Sequence, residues 1–283
     1  MDARDILKAL ETRLARLDQD GAGFFNLPPD PVAAALLESA RHASAPAPGL
    51  PKAAPSQPGA SAADPTAPDR RAAEPRAAVT ERSGPGLEEP GAQGHPSQYD
   101  SLEALHQAFA GCTRCGLARG RTNFVFGVGL ARPKLLFVGE GPGHDEDLQG
   151  LPFVGKAGQL LTLGIQALGL TRDDVYIANV VKCRPPNNRN PEPGEVAACL
   201  PILIRQMELL DPALIVVLGN VPLKALNPSA RGITSERGRV FEFRRWKALP
   251  TYHPAYLLRN ANAIDEWWAD LRQAFRMAYG TEP

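Results

Sequence analysis

Residues 134–161, KLLFVGEGPGHDEDLQGLPFVGKAGQLL, decide how this chain folds. The apolar run from Leu135 to Val138 predicts a buried strand, and the glycines and proline that follow it end the strand. In α/β sheets, ligands bind at the carboxyl ends of parallel strands, where short loops bring backbone amides and side chains together. Because Glu140 to Phe153 come directly after the strand, we expect them to form part of a site.

The glycines of this loop do not make a nucleotide-binding motif. Gly139, Gly141 and Gly143 give a G-x-G-x-G run, but His144 stands where a dinucleotide fingerprint needs its third glycine. Three acidic residues follow at positions 145–147, where a pyrophosphate would need a helix amino terminus. No Gly-Lys-Ser/Thr sequence follows at the spacing of a Walker loop. The loop therefore favours another kind of ligand.

The overall composition limits the class of protein. The 283 residues carry 31 basic and 31 acidic side chains, so any electrostatic attraction to nucleic acid must be local. The sequence has no signal-peptide core and no run of about eighteen apolar residues. We expect a cytoplasmic monomer without membrane contact, whose four cysteines are reduced or bound to metal.

Three regions differ in composition. Residues 1–42 include Ile6, Leu10 and Leu14 at helical spacing, which predicts a short amphipathic helix, either loosely docked or bound to a partner protein. Residues 43–98 contain eleven prolines and no aromatic residue before Tyr99, which predicts a disordered Pro/Ala-rich linker. Residues 99–283 then form the compact domain.

Strand and helix patterns alternate within the compact domain. Helices are predicted at 101–110, 156–168, 192–210, 221–226 and 263–279, and strands at 134–139, 175–181, 213–219, 240–243 and 247–251. This alternation predicts a three-layer α/β/α fold with a mostly parallel central sheet. Right-handed crossovers would bring the loops after Val138, Val181, Leu218 and Thr251 to one edge of that sheet.

The four cysteines suggest a single four-thiolate site. Cys112 and Cys115 form a Cys-x-x-Cys pair, Cys183 follows a predicted strand, and Cys199 lies on the next predicted helix. Zinc and an iron-sulfur cluster both accept four thiolates. The second pair lacks the close spacing of a zinc knuckle, which favours a cluster. A redox Cys-x-x-Cys with two further thiols is the remaining alternative.

Polar residues gather at the predicted edge of the sheet. Residues 221–260 contain eight basic side chains against two acidic ones, as phosphate binding requires, and lead into the segment TYHPAYLLR at 251–259. The loop PPNNRNP at 185–191 is too polar and too stiff to belong to a core. Asn179 ends a buried strand, where its amide must bond either a neighbouring loop or a ligand.

Several motifs together resemble one enzyme family. They are CxxCxL from Cys112, GEGPG from Gly139, PFVGKAGxLL from Pro152, NVVKCRPPxNR from Asn179, the fourth cysteine, and HPxYLLR from His253. In this order they resemble the family 4 uracil-DNA glycosylases, the iron-sulfur branch of the uracil-DNA glycosylase superfamily. The resemblance spans Cys112 to Asn260 and does not reach the first hundred residues.

The resemblance implies a DNA repair enzyme. Such an enzyme would hydrolyse the N-glycosidic bond of uracil in single- or double-stranded DNA, releasing free uracil and leaving an abasic site. It would contain a four-stranded, mostly parallel sheet between helices, preceded here by the short helix and the disordered linker. A [4Fe-4S] cluster would be held by Cys112, Cys115, Cys183 and Cys199.

The resemblance also implies roles for individual residues. Phe153 would stack on the flipped uracil, Asn179 would read its Watson-Crick edge, and His253 would donate to uracil O2. Glu140 with Gly141 would line the water and sugar side.

Four further residues complete the predicted substrate contacts: Glu146, Asn188, Leu257 and Arg259. Leu257 belongs to the turn that would fill the gap left by the base, and Arg259 would hold a phosphate. Glu140 and Glu146 are both candidates for activating the water, and the residue types do not decide between them. A DNA-binding module without catalytic activity and an iron-sulfur redox protein are the competing hypotheses.

Overall fold

The computed structural model of the protein describes residues Gly94 to Pro283. The predicted amino-terminal helix and most of the predicted linker lie outside the described residues. The last residues of that linker segment, Pro96–Gln98, form one turn of 3-10 helix, and Pro96 is buried. An ordered backbone is therefore present slightly before the domain boundary predicted at Tyr99.

A six-stranded sheet forms the centre of the fold. Its strands are β1 (Val128–Gly129), β2 (Leu135–Gly139), β3 (Tyr176–Asn179), β4 (Leu214–Leu218), β5 (Phe241–Phe243) and β6 (Trp246–Thr251). They are arranged in the order β1-β3-β2-β4-β6-β5. The four central strands are parallel, whereas β1 and β5 pair antiparallel at the two edges.

The predicted α/β class and the mostly parallel sheet are thus confirmed, but the predicted number of four strands is wrong. The parallel centre does have four strands, and the two short edge strands account for the difference. A two-residue strand such as β1 has no sequence periodicity that could have predicted it.

Eight α-helices surround the sheet in the described part of the chain. They are α1 (Leu102–Phe109), α2 (His144–Gln149), α3 (Lys156–Ala167), α4 (Pro193–Leu210), α5 (Asn220–Leu226), α6 (Ile233–Glu236), α7 (Pro254–Leu257) and α8 (Ile264–Tyr279). The five longer ones match the predicted helices. The helices α2, α6 and α7 have only four to six residues each, too few for a helical repeat to be recognised. None of the helices in this part of the chain has the length and apolar character needed to span a bilayer.

Hydrophobic clusters cover both faces of the sheet. Leu136 and Val138 of β2 pack in a cluster with residues of α1, α4 and α5, whereas Leu135 and Phe137 pack in a second cluster with α3 and α8. All five residues of β2 are buried, which explains why this strand is continuously apolar. These two clusters make the three-layer arrangement predicted from the sequence.

The register of the central strands brings their carboxyl ends to one edge. Gly139 of β2 lies opposite Asn179 of β3, and Leu218 of β4 lies opposite Thr251 of β6. The loops that follow these strands therefore share one edge, as the crossover rule predicts.

Helix α3 packs against the loop that precedes it through a glycine. A Cβ atom on Gly158 would lie 1.9 Å from the carbonyl oxygen of Phe153, so no side chain fits without moving this backbone. We expect Gly158→Ala to lower the free energy of unfolding by about 1–3 kcal/mol, the usual cost of overpacking. Chemical denaturation of the full chain measures this change.

Gly194→Ala is the matched control, because Gly194 is a helical glycine with no atom within 4 Å of the place where a Cβ atom would lie. It should leave stability unchanged or raise it by up to about 1 kcal/mol, since alanine favours the helix. Equal effects of the two substitutions would contradict the packing argument.

Candidate active site

A pocket of about 490 Å³ opens at the carboxyl edge of the sheet. Its volume lies in the usual range for small-molecule sites. Eight of the nine predicted catalytic and substrate-binding residues line it: Glu140, Gly141, Glu146, Phe153, Asn179, Asn188, His253 and Arg259. Residues far apart in the sequence therefore meet here because β2, β3 and β6 end at the same edge of the sheet.

Asn179 lines this pocket and has an unpartnered amide oxygen. The residue is 2% exposed, and its Oδ1 has no hydrogen-bond partner among the described residues. Such an atom costs free energy unless a ligand supplies a donor. Of the two sequence hypotheses for Asn179, the ligand-reading one is therefore favoured over a bond to a neighbouring loop.

The ring of Phe153 lies next to that amide. A Cβ atom on Gly139 would be 2.4 Å from Asn179 Oδ1 and 2.5 Å from Phe153 Cζ, so only glycine leaves room for both groups. Phe153 has a φ of 54°, in the left-handed region that bulky residues avoid. Its ring lies 5.5 Å from that of His253, with 30° between the ring planes.

His253 is held in one tautomer. Its Nδ1 accepts the backbone N–H of Ala255 at 3.1 Å, which caps the start of α7. The proton of the neutral ring therefore lies on Nε2, which remains available as a donor. Burial, and secondarily the charge of Arg259, lower the pKa of His253 to about 4. The imidazole is thus a neutral donor near pH 7.

The strand end before His253 is fixed by a buried carboxylate that the sequence reasoning missed. The hydroxyl of Thr251 donates to Asp270 Oδ2 at 2.7 Å. Arg237 donates to both oxygens of Asp270, at 3.0 and 2.7 Å. In the sequence Asp270 is one of several polar residues of helix α8. Only the fold shows that it binds Thr251.

The two candidate carboxylates have different surroundings. Glu146 accepts three backbone N–H groups, from Gly143 at 3.1 Å and from Val154 and Gly155 at 2.9 Å each. Its oxygens therefore hold the loop together. The carboxylate of Glu140 has no hydrogen-bond partner among the described residues, and burial raises its pKa.

The loop that follows β3 is held by hydrogen bonds and an ion pair of its own side chains. Asn188 Oδ1 accepts a hydrogen bond from Arg184 Nε at 2.7 Å. Arg184 Nη1 also lies 2.9 Å from Nδ1 of His144, the first residue of α2. Arg189 forms a two-bond ion pair with Glu195, at 2.8 Å for each bond. The amide oxygen of Asn188 is therefore already engaged, and its NH₂ group is the part left to contact a ligand.

Comparison with known proteins confirms the resemblance drawn from the motifs. The Uracil DNA glycosylase superfamily profile matches residues 126–272. The Type-4 uracil-DNA glycosylase of Archaeoglobus fulgidus is 40% identical over 192 residues, 65% of this chain and 96% of that protein. The Type-4 enzyme of Thermotoga maritima is 47% identical over 166 residues, 58% of this chain and 86% of that protein. The Type-4 enzyme of Sulfurisphaera tokodaii is 46% identical over 172 residues, 58% of this chain and 78% of that protein.

The chain belongs to the uracil-DNA glycosylase superfamily.

The prediction for Leu257 is wrong in this member of the superfamily. Leu257 is fully buried in the hydrophobic cluster between α3 and α8, so its side chain does not reach the pocket. The neighbouring Tyr256 lines the pocket, is 39% exposed and packs on Tyr252, with 4.9 Å between the ring centroids. The helical turn of α7 points consecutive side chains in different directions, which a linear motif does not reveal.

Half of the basic side chains in residues 221–260 form ion pairs. Four of the eight cations do so: Arg231 with Glu236, Arg237 with Asp270, Arg244 with Glu208, and Arg245 with Asp211. Arg259 lines the pocket and forms no ion pair within the described residues. The charge run therefore overstates the surface available to phosphate, and Arg259 is its best-placed cation.

All four cysteines border one small cavity, on the face of the sheet that α1 and α4 cover. They carry free thiols, and Cys112, Cys183 and Cys199 are buried. Arg121 supports this site by donating to the carbonyl of Cys112 at 2.5 Å and to Cys183 Sγ at 3.3 Å. Four thiols and no carboxylate at one cavity fit an iron-sulfur or zinc ligand set.

Zinc and an iron-sulfur cluster differ in how closely their sulfur ligands approach one another. A zinc ion needs all its sulfur ligands about 2.3 Å from one point. In the described part of the chain, no three His, Cys, Asp or Glu side chains converge in that way. Burial raises the pKa of the Cys199 thiol to about 12.

A buried lysine connects the cysteines to the pocket. Lys182 is fully buried and donates to the backbone carbonyl of Asn179 at 2.9 Å and to Gln206 Oε1 at 2.5 Å. Burial lowers its pKa to about 8, and the nearby thiols of Cys199 and Cys183 act in the opposite direction. The sequence reasoning did not identify Lys182, because a charged residue next to a cysteine suggested only a basic surface.

The protonation state of His253 is directly testable. Its folded-state pKa of about 4 lies below the ordinary value. The neutral ring should therefore contribute to stability fully above about pH 6.5, and this contribution should be lost as the pH falls toward 4. We expect NMR of the imidazole nitrogens to show a neutral ring, protonated on Nε2, down to about pH 5.

Arg259→Gln removes the positive charge that disfavours the imidazolium, so it should raise the pKa of His253. An inflection of the His253 signals between pH 6 and about 7 in the unmodified protein would contradict the proposed environment.

Proposed function

We propose that this protein is a uracil-DNA glycosylase that hydrolyses the N-glycosidic bond of uracil in DNA. It releases free uracil and leaves an abasic site in DNA repair. The family assignment and the relatives named Type-4 uracil-DNA glycosylase support the activity. The observation that carries the proposal is the unpartnered Oδ1 of Asn179, which shares one pocket with the ring of Phe153 and the neutral imidazole of His253.

Asn179 supports the choice of uracil. Uracil presents a donor at N3 between two carbonyl acceptors, so the free Oδ1 of Asn179 can accept N3–H while its NH₂ group donates to O4. Cytosine presents an acceptor at N3 and would leave Oδ1 without a donor. A site built to pair with a donor rejects a base that lacks it, because a buried polar group then stays unpaired.

The base enters the pocket only after leaving the DNA stack, which costs a few kcal/mol. Phe153 offers it an aromatic surface for stacking. We assign the gap-filling role to Tyr256, because Leu257 is buried and Tyr256 is the exposed aromatic residue of α7. Arg259 then holds a phosphate of the flipped nucleotide, and Asn188 contacts the strand at the rim.

Breaking the bond sends the electron pair from C1′–N1 into the base, so negative charge develops on uracil O2 and positive charge on the sugar. His253 Nε2–H stabilises the first charge by donating to O2. Water adds to C1′ and loses a proton, for which Glu140 is the better-placed acceptor. Its carboxylate is unpaired and burial raises its pKa, whereas Glu146 is engaged by three amides.

Cys112, Cys115, Cys183 and Cys199, which border one cavity, would hold a [4Fe-4S] cluster. The cluster would fix the segments around Cys112 and Cys183 and would take no part in the excision. The catalytic domain is residues 99–283, acting as a monomer on single- or double-stranded DNA. We also propose that the helix predicted in residues 1–42 binds a partner protein.

Uracil release tests the proposed activity. The full chain, purified without oxygen, should release free uracil from a single-stranded uracil-containing oligonucleotide. His253→Ala should slow single-turnover release by about a hundredfold or more, the usual cost of losing a donor to a developing anion. DNA binding should change much less.

His95→Ala is the matched control, because His95 is exposed and its ring bonds only Ser97 among the described residues. Binding of uracil-containing DNA without any release would show a DNA-binding module instead. A wild-type rate for folded His253→Ala would overturn the role of His253.

Metal analysis tests the cofactor. The protein should be brown and carry about four irons per chain, and Cys199→Ser should lower the iron content because it removes one thiolate. One tightly bound zinc without iron or sulfide would refute the assignment.

A further inference from the structure

One arginine, Arg172, binds the backbone carbonyls of Pro152 and Phe153. Arg172 Nη2 donates to the carbonyl oxygen of Pro152 at 2.7 Å, and Nη1 donates to that of Phe153 at 3.1 Å. Nη1 also lies 3.1 Å from the hydroxyl oxygen of Thr162 on α3. The planar guanidinium thus joins the loop to the helix behind it through three bonds.

The carboxylate of Glu146 binds the next two backbone amides after Phe153. The N–H groups of Val154 and Gly155 both donate to Glu146 Oε1 at 2.9 Å. Four consecutive residues, 152–155, therefore each have one backbone group bound by a charged side chain. Arg172 binds the carbonyls of this segment and Glu146 binds its amides, with Phe153 inside the segment.

The support has a physical reason, because the backbone of Phe153 is strained. A φ of 54° costs a residue with a Cβ atom roughly 1–2 kcal/mol. Glycine would avoid that cost but would remove the aromatic ring. The conformation therefore persists only where neighbouring groups hold it.

We propose that Arg172 is a positioning residue of the glycosylase site. Together with Glu146 it holds residues 152–155 in the strained conformation that presents the Phe153 ring to the base. Arg172 does not line the pocket, so it acts on the substrate only through Phe153. This inference rests on the proposed glycosylase function and adds a residue outside the pocket to it.

A double-mutant cycle tests the proposal. Arg172→Gln should slow single-turnover uracil release by about tenfold or more, since small displacements of a binding group cost large factors in rate. In the Phe153→Ala background the same change should cost less than about threefold, because its target is already gone. Arg205→Gln is the matched control. Arg205 also donates to a backbone carbonyl, that of Tyr99 at 2.8 Å, but it lies outside the pocket, and its replacement should leave the rate unchanged.

Hydrogen exchange provides a readout that does not depend on catalysis. In the full chain without DNA, Arg172→Gln should speed exchange in residues 150–157, because the amides of Val154 and Gly155 lose the conformation in which they bond Glu146. If the unmodified protein releases no uracil, the proposed function fails. Hydrogen exchange still shows whether Arg172 holds the conformation of residues 152–155. Arg205→Gln should leave exchange in this segment unchanged.

Arg172→Lys keeps the charge but loses the fork that spans two carbonyls, so its rate should lie between those of the wild type and Arg172→Gln. It also provides the comparison if Arg172→Gln does not fold. The proposal is overturned if either variant slows release by the same factor with and without Phe153, or leaves exchange in residues 150–157 unchanged.

Discussion

The close contact between the ends of β2 and β3 is the constraint on which the site depends. Their register puts Gly139 beside Asn179, and the space where a Cβ atom would lie is taken by Asn179 Oδ1 and Phe153 Cζ. A polar amide and an aromatic ring can therefore converge on one pocket only because the residue between them has no side chain. The arrangement of Asn179 and Phe153 is thus fixed by the backbone of the sheet.

Two features of the pocket are unfavourable in the protein by itself. The buried Oδ1 of Asn179 lacks a donor, and the backbone of Phe153 is held at a positive φ. Each costs on the order of 1–3 kcal/mol. On the proposed function, a flat base with a donor at its edge would pair with the amide and so offset the first cost. The second cost is carried by the contacts of Arg172 and Glu146, which hold the backbone on both sides of the Phe153 ring.

The sequence predicted the parallel centre of the sheet and most of the pocket, because buried strands are continuous apolar runs and parallel strands end at one edge. It did not predict the short edge strand β1 or the helix α7, which have too few residues for a periodic signal. Leu257 was misplaced for the same reason, since a motif gives neighbours in sequence but not the direction of each side chain. Arg172 and Asp270 were missed because their partners lie far along the chain, at Phe153 and Thr251.

The segment from Asn179 to Cys183 joins the pocket to the cysteine cavity. Its first residue lines the pocket, its last is a thiol of the proposed cluster, and Lys182 between them is fully buried. The ammonium group of Lys182 bonds the carbonyl of Asn179, and the nearby thiols favour its charged form. A buried cation is stable only beside such negative or polar partners. The ammonium group that fixes the backbone of Asn179 therefore lies beside two of the four cysteines, so the pocket and the cysteine cavity share one short stretch of chain.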